Sequence, residues 1–153
     1  MTSSQRIRSK LHQDQKGAAA VEFAIVAGLF FMLVFGIIDF GFAFHSWNNA
    51  VNGAREGARI AAVTPGASSA AVVEARVRAA TSTLDQSKLT VSVVCSHSNG
   101  TPATCGASMV KGDITRVIVN YDYDLITPLG SFVPGLGQTL NLHSQSESSF
   151  EGQ

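Results

Sequence analysis

Residues 17–44 read GAAAVEFAIVAGLFFMLVFGIIDFGFAF, and no side chain from Phe23 to Ile38 is charged. About 20 helical residues cross a hydrocarbon core of roughly 30 Å, so Ala18 to about Ile37 is long enough to span a bilayer. A helix of this length buried in a globular core would need a polar face, which the run lacks. A cleavable secretory signal is the competing reading of a basic tail followed by an apolar run. It fits poorly, because the run exceeds a usual signal core and its far end, IIDFGFAFHSW, contains no clear small-x-small cleavage site.

The charge on either side orients the span. The 153 residues hold 11 Lys+Arg against 11 Asp+Glu, a net charge of zero, with 14% charged and 45% hydrophobic residues and a mean hydropathy of +0.18. Such a composition excludes a charge-rich disordered tail, and neutrality argues against a nucleic-acid partner. Divided by segment, the zero separates. Residues 1–16 carry Arg6, Arg8, Lys10 and Lys16 against Asp14, or +3; residues 17–44 carry Glu22 and Asp39, or −2; residues 45–153 carry seven basic and eight acidic groups, or −1. A basic N-terminal flank predicts a cytoplasmic tail and an external C-terminal part.

The junction Gln15-Lys16-Gly17-Ala18-Ala19-Ala20-Val21-Glu22-Phe23 sets a lone acid into an otherwise apolar helix. An intramembrane carboxylate is costly unless partnered and is a functional suspect. About 7 Å inside an interface near Gly17, it could also snorkel or take a proton. Glu22 and Asp39 lie 17 residues apart, about 25 Å along one helix, so they cannot form a catalytic pair within one chain. Asp39 is expected to mark the outer membrane interface, where water reaches it.

This junction resembles the processing site of type IV prepilin-like proteins. More closely, Gly17–Phe44, with Gly36-Ile37-Ile38-Asp39-Phe40-Gly41 and then Asn52-Gly53-Ala54-Arg55-Glu56-Gly57-Ala58-Arg59, resembles the TadE-like family of pseudopilins of the tight-adherence pilus system. The family often has Glu where this chain has Asp39, and many members carry proline early in the apolar run, where this chain has Gly28. The resemblance implies that a prepilin peptidase cuts after Gly17. Ala18 then becomes the mature N-terminus and Glu22 the fifth mature residue. It also implies that Glu22, beside Phe23, pairs with the new amine of a neighbouring subunit. Such an ion pair, poorly solvated in lipid, selects the axial register. Other pilins and pseudopilins, the inner-membrane assembly platform and the lipid bilayer are the implied partners.

Beyond the span, Trp47, Ala50, Val51, Ala54, Ala58, Ala61 and Ala62 recur at helical spacing up to Thr64-Pro65-Gly66, predicting one helix of about 45 residues in total. Trp47 is placed as an outer-leaflet anchor. Gly53 and Gly57, with the alanines beside them, form a small-residue stripe for close packing on the chain's own sheet and on neighbouring subunits. Arg55 and Arg59 stand four apart, with Glu56 able to pair to Arg59; plain solvated charge is the other reading of all three.

Residues 67–83 predict a second helix, capped by Ser68 or Ser69, with Val73, Val77, Ala80 and Leu84 on its apolar face. Period-2 alternation predicts strands over Leu89–Val94 and Asp113–Leu125, and a third, more polar strand over Thr139–Ser149, either at an edge or with one exposed face. Cys95 and Cys105 bracket a turn-rich link, and on an oxidising face they read as a loop-closing disulfide. Free thiols and a metal site are the alternatives, the latter short of ligands.

Catalytic motifs are absent from the sequence, so no enzyme activity and no cofactor are expected. The expected architecture is α+β, a long N-terminal transmembrane helix leading into a small external domain with a second helix and an antiparallel sheet of about three strands. Its parts are a cytoplasmic leader (1–17), the span (18–44), a helical continuation (45–63) and the external domain (64–153). The expected role is a minor pseudopilin in the inner membrane that takes part in assembling an adhesive pilus. The rival is an unprocessed single-pass scaffold or binding protein of a secretion apparatus.

Overall fold

In the computed structural model, which describes residues 3–63, 69–106 and 109–151 with side chains from residue 17 onward, the apolar run belongs to one uninterrupted helix, α1 (Ser3–Val63). No proline falls within it, so nothing removes a ladder hydrogen bond or kinks it. Its 61 residues amount to about 90 Å. The expected helix of about 45 residues is therefore extended at its N-terminal end, through the leader. Thr64-Pro65-Gly66 lie outside the described residues.

The remaining elements are α2 (Ala70–Ala80), β1 (Leu89–Ser96), β2 (Pro102–Ala103), β3 (Ile114–Asp124), a single helical turn α3 (Leu129–Phe132) and β4 (Thr139–Ser149). The strands form one antiparallel sheet in the order β2-β1-β3-β4. The α+β architecture is as expected, with a fourth, two-residue strand added from the link after β1. That link turns tightly at His97–Thr101, where the Asn99 side chain accepts from the Thr101 amide at 3.0 Å and Gly100 takes a φ of 85°, a conformation glycine adopts without strain.

On β3 the alternation is complete: Thr115, Val117, Val119, Tyr121 and Tyr123 are buried, while Arg116, Asp122 and Asp124 are exposed. Their face of the sheet meets α1 and α2 in one core. On α2, Val73 and Val77 are buried as expected, but Ala80 is exposed and Thr81 takes the next inward position. The reason is local. Thr81 stands four residues after Val77, on the same helical face, with its methyl against Gly53, and its hydroxyl is satisfied by donating to the Val77 carbonyl at 2.9 Å. Ser69 is the N-cap through its backbone carbonyl, without a side-chain bond.

The C-terminal half of α1 runs parallel to β4. Trp47 Nε1 donates to the His143 carbonyl at 3.1 Å, the Ser148 hydroxyl donates to the Ala58 carbonyl at 2.6 Å, and the Glu151 amide reaches the Ala62 carbonyl at 3.4 Å. The first two ties are 11 residues apart on the helix and five apart on the strand. At 1.5 Å per helical and about 3.3 Å per strand residue, both intervals are about 16.5 Å. Helix and strand therefore keep step between these two ties.

Candidate functional site

Two faces of α1 hold the residues singled out in the sequence. Between Gly17 and Ile38 most side chains have little protein around them: Phe23, Ile25 and Leu29 are each at least 70% exposed, while Ala27, Val34, Phe35 and Gly36 are half-buried. This stretch has a mean hydropathy of 2.6 in its most apolar window, none of which is buried. So much exposed apolar surface is unstable in water. The helix is a candidate membrane anchor.

Gly17 and Ala18 lie inside the continuous helix, both exposed, with open space around the position a Gly17 side chain would take. Glu22 follows one turn after Ala18 and is exposed, and among the described residues no basic group pairs with it. Phe23 beside it is bare. Glu22 and Asp39 stay on one helix at the axial distance their spacing sets, and nothing brings them together.

Asp39 corrects one part of an expectation. Water does not reach it: it is a buried acceptor, 2% exposed. Its Oδ1 accepts from the backbone amides of Ile126 at 2.8 Å and Thr127 at 3.2 Å, and its Oδ2 from the Thr127 hydroxyl. The loop between β3 and β4 is thereby fastened to α1. Three hydrogen bonds converge on this one carboxyl, each with a net worth of about 1 kcal/mol, so this anchor is strong. Nearby, burial, and after it the Asp39 charge, pushes up the ionisation of Tyr123.

From Asp39 onward the inward positions of α1 are small. Ala43, Ser46, Ala50, Ala54, Ala58 and Ala61 are all buried. At Gly53 an added Cβ would overlap the Thr81 methyl. At Gly57 it would come within 2.6 Å of a Val77 methyl and 3.3 Å of both Val73 and Val117. The glycine stripe thus lies against the chain's own α2 and β3. Trp47, expected as a lipid anchor, is tied to β4 through the His143 carbonyl, which orients its ring along the sheet edge.

The charged residues beside the stripe form a cluster. Glu56 accepts from Arg59 at 2.9 Å and from Arg76 of α2 at 3.1 Å. The Arg59 hydrogen bonds first, and then Arg76, hold its carboxyl at about 2 instead of 4.5. Glu56 therefore links the two helices; the sequence had suggested its Arg59 partner but not Arg76. Arg55 is exposed.

Cys95 and Cys105 are joined in a disulfide, with Cα atoms 5.3 Å apart. Under it, Asp113 accepts from the Val110 amide at 2.9 Å and lies 3.2 Å from His97 Nδ1; both contacts hold its carboxyl below the usual range. No cluster of three metal-ligating side chains occurs among the described residues.

Residues 17–59 match the family model described as TadE-like protein. No curated protein and no solved structure matches the chain. The matched segment covers the bare half of α1 and most of its packed half, with Gly17, Glu22, Asp39, Gly53 and Gly57 all inside it. From Gly17 to Arg59 the chain is similar to the TadE-like family.

Proposed function

We propose that the chain is a minor pseudopilin that a prepilin peptidase cuts between Gly17 and Ala18, and that then joins the assembly of an adhesive tight-adherence pilus. In this reading the basic leader is cytoplasmic, α1 crosses the inner membrane and the domain from residue 64 onward faces outside. The chain works by assembly and not by catalysis. The observation that carries the reading is a largely bare apolar helix face beginning at a Lys16-Gly17 junction, with an acid a turn beyond it that pairs with no basic group among the described residues, inside the TadE-like segment.

The chemistry supports the spacing. Cutting the Gly17–Ala18 bond leaves an amine at the start of an apolar helix, and Glu22 supplies the opposite charge from a neighbouring subunit. Where water is scarce, each group is costly alone, so subunits one register out of step lose the pair. Glu22→Ala should insert and be cut normally yet be missing from the pilus fraction, read by immunoblot of sheared filaments. Wild-type piliation by that variant contradicts the pairing role.

A further inference from the structure

We infer that the loop 126–137 between β3 and β4, with α3 at its tip, is a second membrane-contacting element that dips into the outer leaflet beside α1. The inference rests on the membrane span proposed above. Leu129 sits 3.9 Å from the position of a Gly36 side chain. Leu129 and Phe132 also close a cleft against Gly28, Phe31, Met32 and Phe35. Gly36 and Met32 lie three and seven residues before Asp39, about 4.5 and 10 Å farther down the helix axis. With Ala18 to Ile37 filling the hydrocarbon core, anything held beside Met32 and Gly36 is at the depth of lipid tails.

The loop's chemistry suits that place. No Asp, Glu, Lys or Arg occurs between Asp124 and Glu147. Ile126 and Phe132 are 63% and 67% exposed, on a surface that would otherwise face water. Irregular backbone enters lipid only when its polar groups are satisfied within the protein, and here many are. Asp39 takes the Ile126 and Thr127 amides, and the Thr127 hydroxyl takes the Leu129 amide at 3.3 Å. The amides of Ser131, Val133 and Leu136 bond to carbonyls inside the loop, and Pro128 and Pro134 have no amide to satisfy. Gly130 packs so closely on the Gly137 carbonyl that a Cβ would overlap it, which draws the loop into a tight wedge. Asp39 thereby closes the neck of the wedge where the loop leaves the sheet.

The test places an environment-sensitive fluorophore on single introduced thiols, the native cysteines being held in the disulfide. Full-length Phe132→Cys, Ile126→Cys, Leu29→Cys and Ser92→Cys are labelled and reconstituted in phosphatidylethanolamine–phosphatidylglycerol vesicles. Positions 132 and 126 are expected to show blue-shifted emission, quenching by nitroxide-bearing lipid and shielding from iodide, like Leu29 and unlike Ser92 on the outward face of β1. Iodide quenching at 132 and 126 equal to that at Ser92 would mean an aqueous loop and overturn the inference. A blue shift without nitroxide quenching would mean cover by another protein chain and overturn it equally. If Leu29 itself escapes nitroxide quenching, the span fails and the loop with it; if Leu29 is quenched and 132 and 126 are not, only the loop fails.

Discussion

The two halves of α1 share one backbone and an apolar inward or outward face, yet they are built from different residues. From Gly17 to Ile38 the surface is Phe, Leu, Ile, Val and Met, and most of it is bare. From Asp39 to Ala61 the inward face is Ala, Ser and Gly, and it is buried. Size separates them more sharply than hydropathy does. Lipid tails adapt to any side chain, whereas a sheet and a second helix at fixed positions admit only small ones. Asp39 stands at the change, with its carboxylate turned to a loop of the C-terminal domain.

The sharpest way to break the comparison is to put bulk on the packed half. Gly57→Leu forces a side chain into the space of Val73, Val77 and Val117. It should cost the external domain about 3 kcal/mol, lowering its melting temperature in detergent by roughly 10 °C. The same kind of change on the bare half, Ala24→Leu at an exposed position, should leave the melt within about 0.5 kcal/mol of wild type. Equal effects at the two sites would erase the distinction.

Asp39→Ala removes the acceptor for two loop amides and a hydroxyl. About 2–3 kcal/mol of local stability should go with it, and limited proteolysis should cut between residues 126 and 138 where the wild type resists. Replacing both Cys95 and Cys105 by Ser opens a short loop and should cost about 2–3 kcal/mol by loop entropy, without exposing the 126–138 loop. Comparing the two digests separates the domain's distal end from its membrane-side end.

The smallest expected effect is electrostatic. With its carboxyl held at about 2, Glu56 is ionised in the folded chain where an unfolded one would already be protonated. Its contribution is thus complete above about pH 4.5 and is lost as pH falls toward 2. The two arginines are about half exposed, so the contribution is under about 1 kcal/mol. Glu56→Gln should flatten stability between pH 4.5 and 2, measured by acid titration of the melt.

Much of this could be read from the chain beforehand, because local periodicity carries it. The uncharged run from Phe23 to Ile38, the alternation from Thr115 to Tyr123 and the alanines from Ala50 to Ala61 each repeat at a spacing that one kind of element imposes. The polar content of Thr139–Ser149 likewise matched its place at the sheet edge. What was not legible depends on contacts far apart in sequence. The partners of Asp39 lie 87 and 88 residues away, in a loop whose glycines and prolines gave no hint of a capping carboxylate. Arg76 reaches Glu56 across 20 residues, and Trp47 finds the His143 carbonyl across 96. The shift from Ala80 to Thr81 was hidden for a smaller reason: a threonine reads as polar, but its hydroxyl bonds back to Val77 and leaves its methyl free to face the core.

Glycine packing and the buried Asp39 would hold in any protein anchored this way, so the proposed role depends on the junction at residue 17. The most direct measurement is N-terminal sequencing of the chain recovered from membranes of cells that express the cognate prepilin peptidase. A sequence beginning Ala18-Ala19-Ala20-Val21-Glu22 is the predicted result. A chain that retains Met1 under those conditions contradicts it and leaves an unprocessed membrane anchor in its place.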